Sequence, residues 1–275
     1  MSLAPTVTLA HGAAMPVLGL GTWPLLGEEG AAAVRTALET GYRLIDTAEN
    51  YRNEDAVGQG LRESGVPREQ VFLTSKFNRK WHSTDGPRQA AEASLERLGV
   101  DYLDLLLIHW PNPGQDRYVE AFEGLLRLLE TGLVKAVGTS NFKPAHLQKV
   151  IDATGHVPDV NQINLNPYAT RDAAVAFHTA HGIVTQAWSP IQPAAMLTDP
   201  VITGIAAGHG RTPAQVVLRW HLQRGFVPIP KSASPQRQRE NLAVFDFELS
   251  ADEVAAINEL DKGEAQVTDS DSFGH

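Results

Sequence analysis

The sequence has no cysteine. That excludes a disulfide framework, thiol catalysis and thiolate metal sites, and it agrees with a reducing cytosol without requiring one. No apolar run approaches the roughly 20 residues that span a bilayer. The opening, MSLAPTVTLAHG, lacks a basic segment followed by an apolar one, so no signal peptide is expected. No basic stretch is long enough to suggest nucleic acid or an anionic membrane. The net charge of -9 is that of an ordinary acidic, soluble surface. Linkers, low-complexity segments and sequence repeats are missing too. A soluble, cytoplasmic protein is expected, with residues 1–275 forming one domain.

What is present is a regular alternation. In 275 residues, 43% of them hydrophobic, eight short apolar runs alternate with amphipathic stretches. The runs are Val17–Leu20, Leu44–Ile45, Val71–Leu73, Leu103–Ile108, Leu133–Val137, Val160–Ile163, Ile183–Ala187 and Phe226–Ile229. Helical patterns follow them over 28–39, 54–62, 88–97, 118–130, 144–151 and 172–180. Two lie after the seventh run (200–207, 213–222) and two after the eighth (235–242, 251–260). Gly41, Gly99, Gly132, Gly182 and Gly225 stand just past helical patterns, where a left-handed residue ends a helix. Thr212-Pro213 and Ser234-Pro235 read as an N-cap followed by Pro at the first helical position. Strict alternation with short loops means parallel strands with helical crossovers. Eight such units predict an α/β fold, a (β/α)8 TIM barrel. Two helices exceed the eight that a barrel needs. The segment before the first unit, VTLAHGAAMPVLGLG, resembles a hairpin turning at His11-Gly12 and capping the barrel's N-terminal end. GLGTWP resembles the start of a dinucleotide fingerprint, but its third glycine position is Pro24, and a lone Gly-x-Gly is weak evidence. It is read as a tight turn.

Parallel barrels deliver every strand's C-terminal end to one face, where the chemistry lies. The second run ends in Asp46, with Tyr51 in the loop beyond; the third continues to Lys76; the fourth ends in His109. Singly, each has a plain structural reading: Asp46 as a helix N-cap or loop carboxylate, Lys76 as a surface lysine, His109 as a satisfied core histidine. Together they form an acid, a base and an imidazole on three consecutive strands, about 4.8 Å apart strand to strand. A free phenol, with a pKa near 10, is a poor proton donor at neutral pH, and a neighbouring ammonium is expected to lower that pKa. A buried lysine needs a carboxylate, which Asp46 supplies, and His109 is suited to hold a carbonyl oxygen at the phenol. The set protonates a carbonyl oxygen as it gains charge. Side chains cannot reduce carbon, so a hydride donor is required.

GYRLIDTAENYRNEDAVG (residues 41–58), LDLLLIHWP (103–111) and IPKSASPQRQRENL (229–242) together closely resemble the aldo-keto reductases, NADPH-dependent (β/α)8 oxidoreductases. The resemblance runs in order from about Val7 to Asp261. The shortness of the chain looks most like the bacterial subgroup that includes 2,5-diketo-D-gluconate reductases. It implies Tyr51 as proton donor, Lys76 and Asp46 tuning it, and His109 orienting the substrate. It further implies that Ser140, Asn141 and Gln162 hold the nicotinamide carboxamide and that Trp188, followed by Ser189, stacks on the ring. Gly21, Thr22 and Trp23 would also border the cofactor. Lys231, Ser232, Ala233 and Arg237 would receive the 2′-phosphate of NADPH at a helix N-terminus, with Glu240 and Asn241 on the adenine side. Trp23, Tyr51, His109 and Trp110 would wall the substrate pocket. A small-molecule carbonyl partner, no metal, no nucleic acid and a monomer are expected. Two departures stand out. KFNRKWH follows the lysine where the family often has Leu-Trp-Asn, which leaves a pocket role for Trp81 open, and the tail GEAQVTDSDSFGH is short and acidic. Competing readings are a Schiff-base lyase on Lys76, a metal-dependent hydrolase, for which no His-x-His ends a strand, and a cofactor-binding regulator without turnover.

Overall fold

The computed structural model describes residues 3–275. Strands β1 (Thr6–Thr8) and β2 (Ala14–Pro16) form an antiparallel hairpin with Val7 opposite Met15. The turn between them closes where Gly12 N–H donates to Leu9 O at 2.9 Å. Gly12 has φ of 88°, a region that favours glycine, so the turn falls at His11-Gly12 as the sequence predicts.

Eight parallel strands follow: β3 (Leu20–Gly21), β4 (Leu44–Asp46), β5 (Phe72–Phe77), β6 (Leu105–Ile108), β7 (Val137–Ser140), β8 (Val160–Asn164), β9 (Val184–Trp188) and β10 (Val227–Ile229). They pair in chain order. The ends of the sheet meet where Gly19 N–H donates to Pro228 O at 3.1 Å and Gly21 N–H to Pro230 O at 3.2 Å. Ten α-helices surround them among the described residues: α1 (Gly27–Thr40), α2 (Glu54–Glu63), α3 (Gly86–Leu98), α4 (Tyr118–Leu129), α5 (Pro144–Thr154), α6 (Asp172–His181), α7 (Pro200–His209), α8 (Pro213–Gln223), α9 (Pro235–Leu242) and α10 (Ala251–Asn258). The helices α7 and α10 are the two beyond the eight crossovers. They share one apolar cluster through Ile202, Ala206 and Ile257.

The barrel interior has two ends of different character. At the N-terminal end, Leu9 and Met15 of the hairpin pack with Leu44, Phe72, Leu105, Val160 and Val227. His11 secures this cap: its N–H and Nδ1 lie 2.9 and 2.8 Å from the Asp159 carboxylate, which also accepts from Val137 N–H. At the C-terminal end the strands run past their apolar stretches into polar residues. That is why several bounds differ from those predicted. The fifth barrel strand covers 137–140, not 133–137; Leu133–Lys135 contributes a single bridge at Val134, opposite Leu103. Within β7, Thr139 and Ser140 are buried but satisfied by Asn161 Oδ1 at 2.9 Å and Gln162 O at 3.0 Å. The third barrel strand continues through Thr74, Ser75 and Lys76, all buried. Ser75 donates to Glu54 Oε1 at 2.6 Å, and Arg97 covers the other oxygen of Glu54 at 2.6 Å. Apart from the Thr74 hydroxyl, which has no partner, these polar residues can lie in the strands because partners on neighbouring elements compensate their desolvation.

Candidate active site

Register explains how the polar residues meet. Asp46 on β4 pairs with Thr74 on β5. Side chains alternate along a strand, so Lys76, two residues on, points to the same face as Asp46. Lys76 Nζ donates to Asp46 Oδ1 at 2.6 Å, to Thr47 O at 2.9 Å and to the Tyr51 hydroxyl at 3.3 Å. An ammonium has three hydrogens, and all three are used. From the opposite wall, Gln162 on β8 donates to Asp46 Oδ2 at 2.7 Å and to Gln186 Oε1 on β9 at 2.6 Å. A polar layer of Asp46, Lys76, Gln162 and Gln186 thus spans the barrel above the apolar layer. Gln186 was not anticipated; inside an apolar run it gives no local signal, and only the pairing of β8 with β9 exposes its role.

Lys76 is fully buried and Asp46 nearly so. Burial pushes the Asp46 carboxyl up, against the pull of Lys76 and of the hydrogen bonds from Lys76 and Gln162. Burial works equally against the Lys76 ammonium, but Asp46 and Tyr51 more than offset it, and Lys76 stays above its ordinary value. The two form an ion pair at neutral pH. Tyr51 corrects one expectation. Burial raises its phenol above the ordinary value, and the lowering influence of Lys76 does not overcome it. The phenol is protonated at neutral pH. His109 lies edge-on to Tyr51, with ring centroids 5.7 Å apart. Burial first, then the charge of Lys76 and the nearness of His275, hold it well below the ordinary imidazole value. It is a neutral imidazole.

A cleft of about 1010 Å³ opens over this layer. Tyr51, His109 and Trp110 line one end, and Trp23, well exposed, stands at its mouth. Ser140, Asn141, Gln162, Trp188 and Ser189 line its middle. Their side chains are interlocked: Trp188 Nε1 donates to Asn141 Oδ1 at 2.9 Å, and Asn141 Nδ2 donates to His109 O and Ser140 Oγ at 3.0 Å each. Asn141 and Ser189 have φ of 63° and 50°. Two non-glycine residues in the left-handed region at one cleft mark a backbone shaped by its surroundings. Gly21 and Thr22 border the same space, and Lys231, Ser232, Arg237, Glu240 and Asn241 line its far end. Ala233 and Lys76 are not on the lining. The loop after β9 supplies a wall through Ile191, Gln192 and Leu197 that was not anticipated; its proline-rich text, SPIQP, was the available signal. Trp81 lies outside the lining. Its Nε1 is held by Glu49 at 3.1 Å and its ring packs on the main apolar cluster.

A family model described as Aldo/keto reductase family matches residues 17–262. The chain belongs to the aldo/keto reductase family. It is 46% identical over 260 residues to 2,5-diketo-D-gluconic acid reductase B of a Corynebacterium species, covering 94% of each chain. It is 45% identical over 273 residues to the methylglyoxal reductase DkgA of Escherichia coli, covering 98% of each. A mutant of Gox0644, crystallised in complex with NADPH, superposes with a TM-score of 0.94 at 42% identity, covering 99% of each chain. The barrel and its hairpin are thus those of an aldo/keto reductase, and the polar layer lies at the catalytic end of that barrel.

The ion pair supports a stability prediction. Lys76→Met leaves the Asp46 carboxylate buried without its cation and should destabilise the fold by about 3–5 kcal/mol. Adding Asp46→Asn should recover much of that loss. Urea unfolding of the two single variants and the double variant checks it; additive losses would mean that the pair does not act as a unit.

Proposed function

We propose that this cleft reduces small carbonyl compounds with hydride from NADPH, with Tyr51 as the proton donor. The observation that carries this reading is the use of all three Lys76 hydrogens. Because Lys76 donates to the Tyr51 oxygen, the phenol's own proton is left free for the cleft. When bound, NADPH supplies the hydride. His109, neutral and fixed through its backbone oxygen by Asn141, offers a hydrogen bond that places the carbonyl oxygen at the phenol. As that oxygen gains charge, Tyr51 passes it the proton, and Lys76, anchored by Asp46, stabilises the phenolate left behind.

The residues present fit the cofactor. Ser140, Asn141 and Gln162 stand beside Trp188, as the carboxamide and ring of a nicotinamide require. At the far end, Lys231 and Arg237 are exposed and make no ion pair among the described residues. They flank the N-terminus of α9, where Ser234 accepts from Arg237 N–H at 3.4 Å. Cations outside any ion pair at a helix N-terminus suit a phosphate. Ser232, Ala233, Glu240 and Asn241 complete that end, and Gly21, Thr22 and Trp23 the cofactor's opposite border. Lys76 is a poor Schiff-base nucleophile, because its ammonium is held charged by Asp46. The reductases of methylglyoxal and diketogluconate among its relatives point to dicarbonyl substrates. The enzyme acts as one domain and as a monomer in the cytoplasm. Nucleic acid is not among its partners, which its acidic surface supports.

Tyr51→Phe keeps the ring and removes the proton. Reduction followed by NADPH absorbance should fall by at least about 10² with NADPH affinity little changed, and near-normal turnover would remove Tyr51 from the acid role. The pH profile follows from the directions of the shifts. A donor must be protonated, so activity is present below its pKa and lost as pH rises through it. With the phenol above 10 and His109 well below 6.5, kcat/KM for reduction should stay flat from about pH 7 to 9. A decline that begins near neutrality would mean that Lys76, and not burial, controls the phenol. For the phosphate end, Arg237→Ala should weaken NADPH by about ten- to a hundredfold and leave NADH nearly untouched. Dissociation constants for both cofactors decide it, and equal losses would make Arg237 a support of its loop.

A further inference from the structure

Residues 269–275 form a strap that reaches the catalytic end of the cleft. Asp269 and Asp271 both pair with Lys143 at 2.6 Å, and Asp271 lies 3.0 Å from His146 Nε2. These ties hold the strap to the start of α5. Phe273 then packs edge-on against Trp110, with ring centroids 4.9 Å apart. Gly274 passes so close to Asn112 that a Cβ would meet its side-chain amide. His275 is fixed by Arg79 N–H, which donates to its backbone oxygen at 3.1 Å. Its ring stands edge-on to His109 at 4.8 Å and 6.1 Å from Trp110, and it lines the cleft.

These three rings share an unusual feature. His109 Nδ1, Trp110 Nε1 and His275 Nε2 are all buried, and none has a hydrogen-bond partner. Unpartnered buried polar atoms are costly; these three lie on rings that line the cleft, so a substrate bound there meets the rings themselves. A simple aldehyde brings one oxygen, which Tyr51 and His109 engage. The His275 ring stands next to that of His109. We propose that His275 is a specificity-determining residue that hydrogen-bonds a second substrate oxygen, on the carbon next to the carbonyl under reduction, and so selects 1,2-dicarbonyl compounds over simple aldehydes of the same size. A site built to bond an oxygen rejects the analogue that lacks it, because its own polar group is then left unpaired. Burial and Arg79 hold His275 below the ordinary imidazole value. It is therefore neutral near pH 7 and suited to a neutral carbonyl oxygen.

This inference rests on the reading of the cleft as a carbonyl reductase, and its test separates the two. The probes are methylglyoxal and propanal, which differ by the second oxygen; hydration of each aldehyde cancels when variants are compared. The ratio of their kcat/KM values should fall about tenfold in His275→Ala and in His275→Phe, through methylglyoxal, with propanal little changed. His275→Phe keeps a ring in place, and His275→Gln, which keeps an N–H, should retain more of the ratio. Unchanged quenching of tryptophan fluorescence by NADPH shows that each variant is folded. A ratio that stays put in the Ala and Phe variants, or equal losses on both substrates, overturns the role of His275 while leaving the reductase reading intact. A wild-type enzyme that reduces neither compound overturns both.

Discussion

The buried ion pair between Lys76 and Asp46 is the constraint around which the catalytic end of this barrel is built. Neither charge is tolerable alone where it lies, because each is removed from water. The pair survives because every hydrogen of the ammonium has an acceptor and both oxygens of the carboxylate have donors. That satisfaction draws on β4, β5, β8 and the turn that carries Tyr51. The chemistry and the packing are therefore not separable: the network that prepares the phenol also joins opposite walls of the barrel.

The two ends of the barrel solve different problems. At the N-terminal end a hairpin fills the opening with Leu9 and Met15, and His11 fastens it to Asp159. This is a packing solution, and it leaves the interior apolar. At the C-terminal end the interior is polar, and the ion pair and the glutamines beside it are joined in one hydrogen-bonded network. The elongated cleft then divides by charge. Its catalytic end has neutral rings over one compensated ion pair. Its far end has Lys231 and Arg237 at the start of α9, in no ion pair among the described residues, with Glu240 farther along the helix. A ligand long enough to span both would carry its negative charge at one end and its reactive part at the other, which is the shape of a dinucleotide.

Much of this was legible in the residues. Eight apolar runs alternating with capped helical patterns specify a barrel, because alternation with short connections leaves parallel strands no other closed arrangement. Asp46, Lys76 and His109 were visible as polar residues at three successive strand ends. Strand bounds were less so, because a reading that follows apolar runs stops where β5 and β7 turn polar, and those polar ends carry the function. The phenol's acidity was misjudged for a related reason. The sequence places a cation near Tyr51, but it does not show how completely the site is dried, and burial is the larger influence.

The sequence by itself determined the order of the elements, the caps that end the helices and the residue types at each strand's tip, since these depend on local spacing and backbone preference. Tertiary structure alone decided the long-range contacts. Gln162 reaches Asp46 from 116 residues away, Trp81 turns away from the pocket to Glu49, and the acidic tail folds back on Lys143 and His146 to deliver His275 beside His109. Such contacts depend on strand register and barrel closure, and no pattern local to either partner encodes them.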